Sequence, residues 1–417
     1  MQIVLIATQS PFVVLNGYTL RVSGFARHLA RVPGVRRVSL ICPVEEHDAA
    51  IAASWAREHG VTILPFDGPV AANPTRRDGP ALSARIESAL SRIPPRPDDA
   101  VVVVAGPQAS ILLAKTPCRF ARAADLMDEE SPHLIGSIVG RLKKGRALRA
   151  IRELKWYRDH VSALPSLSRY AAVIVSAHDD ADRLRRRGVE RVNVVGNGVR
   201  VPDESGENFG APSARREVPR LVFHGNFDFP PNEEAALLLT KAIFPLVRRE
   251  SPSCQLDLVG RNPTESIARA IAGVEGINLT GEVPDLAPFL RAASLGVYPI
   301  LRRTGLQSKI LEAWAHGLCV ITTPAVVEAF SRFSGDARLC AVAAESPEAF
   351  ARSIIRLLKD QETSKSIGLS GRRLVQTRFG WPSIAREFAE VCEAVLADHV
   401  SGSPSRARTF ERSEERG

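Results

Sequence analysis

The chain has 417 residues, 55 Lys and Arg against 46 Asp and Glu, a formal charge of +9 and 45% hydrophobic residues. That length favours two domains, each large enough for its own core. No apolar run approaches the roughly 20 residues needed to cross a bilayer, and six scattered cysteines without a Cys-x-x-Cys pair argue against a metal site or a disulfide framework.

Gln2–Ala7 is a short apolar run with neither a basic leader nor a cleavage site, so it is expected to be a buried first strand. Further strands are predicted at Arg37–Cys42, Val61–Leu64, Ala100–Val104, Phe120–Leu126, Ala172–Val175 and Val192–Val195. Helices are predicted between them at Leu20–Val32, Asp48–His59, Pro80–Arg92, Gln108–Lys115, Leu148–Leu164 and Ala177–Arg187. This alternation implies a mainly parallel sheet covered on both faces. Basic residues concentrate in Arg141–Arg158, where Leu148, Ile151, Leu154 and Val161 recur at helical spacing. Two readings stand: a solvated basic face on a core-packed helix, or a surface drawn to anionic lipid head groups or a phosphate-bearing acceptor. No zinc-finger spacing or helix-turn-helix pattern accompanies the charge, and nucleic acid is not expected as a partner.

The segment 201–219 is polar, rich in Pro and Gly, and expected to be a linker. Alternation then restarts, with strands at Leu221–His224, Cys254–Val259, Ile277–Thr280, Leu295–Pro299 and Cys319–Thr322. The helices expected here are Glu233–Arg249, Ser266–Ala272, Leu286–Ala292, Ser308–His316, Pro347–Leu358 and Glu362–Thr377. The domains expected are therefore 1–200 and 220–378, with a helix at 379–400 and a tail from 401 too polar to fold. Dispersed cysteines in apolar surroundings fit reduced core thiols and a cytoplasmic location.

The most informative stretch runs from Gly305 to Pro324. A glycine-containing loop, 302–308, opens into a helix that Gly317 closes, and a buried strand follows. A loop feeding a helix N-terminus presents free N–H groups and the positive end of the dipole, which suits a pyrophosphate. Glu312, one turn into that helix, could accept hydrogen bonds from two ribose hydroxyls.

This stretch resembles the donor motif of retaining GT-B glycosyltransferases of the family 4 (glycosyl transferases group 1) type. Members usually carry two Glu residues separated by seven; here the second is Glu312 and the first falls on Thr304. A Gly-x-x-x-Lys-x-x-Glu version exists, and Gly305, Lys309 and Glu312 fit it. Ser10–Gly17, Asn197-Gly-Val199, Leu221–Phe227 with Pro230-Pro-Asn232, Leu256–Gly260, Leu279–Asp285 and Phe379-Gly-Trp381 resemble family landmarks in order. The resemblance covers residues 1 to 400. It implies an α/β GT-B fold, two Rossmann-like doubly wound domains facing across a cleft, with the helix from Trp381 returning to the first.

The resemblance also implies the site. The base lies by Gly260 and Val283, the ribose on Glu312, and the diphosphate on Gly305, Leu306, Gln307, Ser308 and Lys309. Gly225 and Asn226 belong to the loop after the first donor-domain strand, where members commonly supply an Arg and a Lys. This chain has no basic residue there, so Arg261, Arg302 and Arg303 are candidate substitutes. Gly17 is expected beside the diphosphate and Asp128 by the transferred sugar, with Asp125 and His133 as weaker candidates. No carboxylate pair demands double displacement, and no metal or cofactor is expected.

The implied activity is hexosyl-type transfer with retention from a UDP- or GDP-linked sugar to a glycan, lipid-linked or small-molecule acceptor. The setting would be envelope or exopolysaccharide synthesis, with peripheral contact to an anionic membrane at its inner face. A non-catalytic nucleotide-sugar-binding homologue, a natural-product glycosyltransferase and a nucleotide-sugar epimerase are the alternatives.

Overall fold

The computed structural model describes residues 1–12, 16–66, 78–93, 97–143, 147–202, 218–302 and 305–402, with the backbone alone at 97, 133, 140, 141 and 143. Most of the expected linker, the tail from 403, Arg303 and Thr304 lie outside the described residues. The chain forms two compact units, Met1–Gly198 with the segment from Trp381 onward, and Val199–Gly380.

Among the described residues of the first unit, seven strands form one parallel sheet. They are β1 (Gln2–Ile6), β2 (Arg37–Pro43), β3 (Val61–Phe66), β4 (Ala100–Ala105), β5 (Ala121–Met127), β6 (Ala172–Val175) and β7 (Val192–Val194). Their order is β3-β2-β1-β4-β5-β6-β7, each neighbour parallel. Parallel strands covered by helices on both faces must be apolar throughout rather than alternating, and β4, Ala-Val-Val-Val-Val-Ala, is buried at every position. The helix Trp381–Ser401 packs in this unit: Trp381 meets Phe25 edge-on at 5.7 Å and stacks on His28 at 5.6 Å. Gly24 and Gly198 make room for its indole, since a β-carbon at either would lie 2.0 or 2.3 Å from a ring atom.

The second unit repeats the plan with β8 (Arg220–His224), β9 (Gln255–Val259), β10 (Ile277–Gly281), β11 (Leu295–Tyr298), β12 (Val320–Thr322) and β13 (Ala341–Ala343). The order is β10-β9-β8-β11-β12-β13, again parallel. Both units are Rossmann-like, as the sequence implied. In each, the strand order reverses beside the first strand, between β1 and β4 and between β8 and β11. Open α/β sheets bind ligands beyond the carboxyl ends of the strands at such a reversal.

Among the α-helices and strands of the described residues, three were not expected: the helices Ser131–Lys143 and Pro324–Ser331, and β13. The first carries Pro132, Gly136 and Gly140, which blur a helical pattern. The third is an edge strand of three residues, too short to show a period. The long helix expected over 233–249 is broken by a π-turn at Leu239–Ile243, just before Pro245. Pro245 lacks an N–H and its ring crowds the preceding turn, which the wider turn accommodates.

Candidate functional site

At the β8–β11 reversal the strand ends present polar side chains from inside the sheet. His224 ends β8 and is buried; Tyr298 ends β11 and is buried. The Tyr298 hydroxyl lies 2.9 Å from His224 Nδ1, and His224 Nε2 lies 2.8 Å from Glu312 Oε2. Burial, and then the Glu312 charge, push the Tyr298 phenol well above its ordinary value, so it stays protonated and can donate. A carboxylate only accepts, so Nε2 carries the ring hydrogen and Nδ1 receives the phenol. Glu312, on the helix Ser308–Ala315, is thus steadied by a two-link chain while about a third of its side chain stays open to solvent.

Lys309 sits one turn earlier on the same helix. Its ammonium donates to Asn232 Oδ1, and Asn232 Nδ2 donates 2.8 Å to the Asn226 carbonyl. Burial pulls Lys309 down to about 8, against the opposing pull of Glu312. A β-carbon on Gly225 would lie 3.6 Å from that ammonium and 2.9 Å from Asn232 Nδ2. The loop after β8 has no basic residue of its own, and the Lys309 ammonium lies beside it, brought there by another element.

The turns around it are tight. Gly225 and Gly260 have φ of +152° and +151°, and a β-carbon on Gly260 would fall 1.8 Å from the Gly225 carbonyl oxygen. The Gly225 N–H donates to Val259 and the Gly260 N–H to Gly281, at 3.0 Å each. Asn226 accepts from Asn262 Nδ2 at 3.1 Å. Arg261 and Val283 are half-buried on neighbouring strand ends. Gly305 has φ +58°, Leu306 is buried, Gln307 caps the helix without a side-chain bond to it, and Ser308 is its first residue. Gly225, Asn226, Lys309 and Glu312 thus belong to one constellation, and Gly305 lies in the loop that leads into their helix.

Arg302 does not join it. Its guanidinium grips Glu234 with Nε 2.9 Å from Oε2, on the exposed side of the unit. Arg302, nominated for phosphate, is held in this exposed ion pair. Arg303 and Thr304 lie outside the described residues.

In the first unit Gly17 opens the helix Gly17–Leu29, three residues earlier than expected. The reason is Asn16, whose side chain caps Thr19 N–H at 2.9 Å while the Thr19 hydroxyl accepts from Asn16 N–H at 3.1 Å. A β-carbon on Gly17 would meet nothing within 4 Å. Asp125 is buried in a forked pair with Arg21, which also donates to Val195, Gly196 and Asn197; its role is structural. Asp128 follows Met127, whose φ of +66° is left-handed, at a register shift between β5 and β6. Ser176 Oγ donates 2.8 Å to Asp128. The side chain of His133 lies outside the described residues.

Sequence reasoning did not single out His224, Tyr298 or Asn232 as site residues. A polar residue closing an otherwise apolar strand was the available signal for the first two. For Asn232 it was a polar residue just inside a helix that opens Pro-Pro.

Residues 218–360 match the family model described as Glycosyl transferases group 1. No curated protein matches the chain. Similar solved structures include sucrose-phosphate synthase from Thermosynechococcus elongatus, at 17% identity and TM-score 0.68 over 95% of this chain and 99% of that one. Anabaena HepE in complex with UDP aligns at 15% identity and TM-score 0.65, over 94% and 100%. A glycosyltransferase from Rickettsia africae aligns at 12% and 0.61, over 95% and 98%. At these identities the likeness is one of fold, and that fold is GT-B.

Proposed function

We infer that this chain, with a GT-B fold and a Glycosyl transferases group 1 match over most of its second unit, is a glycosyltransferase that draws on a nucleotide sugar. The observation that carries the reading is Glu312 held by His224 and Tyr298 one turn above Lys309, at the strand-order reversal of a parallel sheet. A carboxylate steadied from behind and open in front suits a ribose diol. An ammonium beside the glycine turns suits a diphosphate.

The reaction follows from that assignment. An acceptor hydroxyl oxygen bonds to the anomeric carbon as the carbon–oxygen bond to the β-phosphate breaks. The hydroxyl proton passes to the departing phosphate oxygen, and a nucleoside diphosphate leaves. Negative charge grows on the leaving group, so Lys309 and the N–H groups from Gly305 to Lys309 stabilise the transition state more than the ground state. The donor brings its own leaving group, so the reading needs no cofactor. Lys309 is proposed to carry this charge, with Arg261, half-buried just past β9, as a proposed second cation.

Finer points are part of the same proposal: a UDP- or GDP-linked hexose, retention at the anomeric carbon, and an acceptor in envelope or exopolysaccharide synthesis. HepE, similar in fold, was solved in complex with UDP-glucose, which favours trying UDP-sugars first. Asp128 is proposed to act on the transferred sugar, supported by its place just past β5 after a left-handed residue. Gly17 is proposed to give close backbone access to the diphosphate, supported by the empty space around it.

The test is a thermal-shift screen of UDP, GDP and their sugars against uridine and guanosine, followed by release of nucleoside diphosphate with and without candidate acceptors. Diphosphates should stabilise the fold and nucleosides should not. Product release that requires an acceptor supports transfer. Binding without turnover across all acceptors favours the non-catalytic homologue.

A further inference from the structure

The helices Ser131–Lys143 and Ala147–Ala163 pack on each other as a hairpin in the first unit. An ordinary surface helix turns its apolar stripe toward the core. Here the stripe faces out. Leu148, Ile151 and Leu154 are 85%, 63% and 49% exposed on the second helix, and Ile135, Val139 and Leu142 are 46%, 43% and 56% exposed on the first. The buried positions are instead small or polar: Ala150 and His160 on one helix, Ser131 on the other, with Leu134 the large apolar exception. A polar network holds this inner side. Buried Glu129 faces His160 at 3.6 Å, Arg183 at 3.4 Å and Arg187 at 3.9 Å, and Ser131 N–H donates to it at 3.1 Å. Trp156 on the second helix is 43% exposed as well, and outside the hairpin the large exposed apolar residues among those described, such as Ile51, Val274 and Leu339, fall singly and need no explanation.

The same hairpin carries much of the positive charge. From Arg141 to Asp159 there are eight Lys and Arg against Glu153 and Asp159. Arg149, Arg152, Lys155 and Arg158 are all exposed on the second helix. We propose that this hairpin is a membrane-docking element, seating the first unit on an anionic lipid bilayer with its apolar stripe at the acyl boundary and its basic residues among the phosphates. Charge decides between occupants. A second copy would bring two strongly positive faces together, whereas an anionic bilayer offers both the apolar medium and the opposite sign. The proposal does not rest on the donor chemistry.

Flotation with vesicles tests it directly. The full chain should float with phosphatidylcholine–phosphatidylglycerol vesicles at low salt, far less with pure phosphatidylcholine, and should be released as salt rises. Leu148→Ser with Ile151→Ser, both at exposed positions, should weaken binding at least tenfold with an unchanged melting temperature. Arg152→Glu with Arg158→Glu should abolish the preference for phosphatidylglycerol. Wild-type protein that stays with the buffer, or variants that float like wild type, would overturn the proposal. So would a concentration-dependent dimer in ultracentrifugation that Leu148→Ser dissolves without any effect on vesicles.

Discussion

Glu312 is oriented before any ligand arrives, because His224 and Tyr298 hold one of its oxygens from within the sheet. Glu312→Gln removes a charged acceptor, so the loss should be about 1.5–3 kcal/mol, roughly tenfold or more in donor affinity. Equal donor kinetics in that variant would end the ribose assignment. Tyr298→Phe keeps the volume but leaves His224 Nδ1 without its donor. The donor KM should then rise several-fold, about 0.5–1.5 kcal/mol, with kcat nearly constant, because a ribose contact is shared by ground and transition states. Steady-state kinetics that show kcat falling instead would give the chain of contacts another role. Lys309 sets the pH response. Burial, partly offset by Glu312, holds it at about 8, below the ordinary lysine value. Below pH 8 it is charged in the free protein and attracts diphosphate; above 8 that charge is lost. Diphosphate affinity should therefore fall by up to about tenfold per pH unit above 8, and the fall should vanish in Lys309→Ala. The same depressed value has the opposite consequence for folding. The unfolded chain binds the proton more tightly, so this group favours the folded state increasingly as pH rises from 8 toward 10.5.

At the scale of elements, the glycine turns after β8 and β9 decide how closely the strand ends approach. Gly260→Ala would set a β-carbon 1.8 Å from the Gly225 carbonyl oxygen at a φ of +151°, with backbone on both sides unable to yield. The variant should lose about 3 kcal/mol or more, seen as a lower denaturant midpoint. A midpoint within error of wild type would mean the two turns are not locked together. These turns were legible because glycine after a buried apolar run is a strong signal, as at Val259-Gly260. The strands were legible for the same reason: β4 and β1 are continuous apolar runs that only a doubly covered parallel sheet explains. The helix Ser131–Lys143 was not, because its apolar residues other than Leu134 are not buried and its glycines break the pattern. Nor was the His224–Glu312 contact, which joins positions 88 apart in sequence through packing alone. Lys309 was legible as part of a loop–helix motif, but its reach to the β8 turn needed the tertiary structure. Arg302 illustrates the converse: an Arg beside a motif loop draws attention in sequence, and only the structure supplies its partner Glu234.

For the whole molecule, the division into units does not follow chain order, because the first unit includes the segment from Trp381 onward. Trp381 is nearly buried and its indole lies over Gly24 and Gly198. Trp381→Ala should leave a cavity and lower stability by about 3–5 kcal/mol. The loss should appear in hydrogen exchange of the first unit's helix Gly17–Leu29 while β8 and β9 keep their protection. Uniform loss of protection across both units would mean that they unfold as one.

That placement of Trp381 also bears on how the protein is made. A ribosome completes residues 1–198 well before the segment that finishes their packing, because the whole of Val199–Gly380 is translated in between. At roughly 5–20 residues per second the interval is about ten to forty seconds. Through that time the apolar surface around Phe25 waits uncovered, a natural client for a chaperone, while the later-born unit is free to fold first.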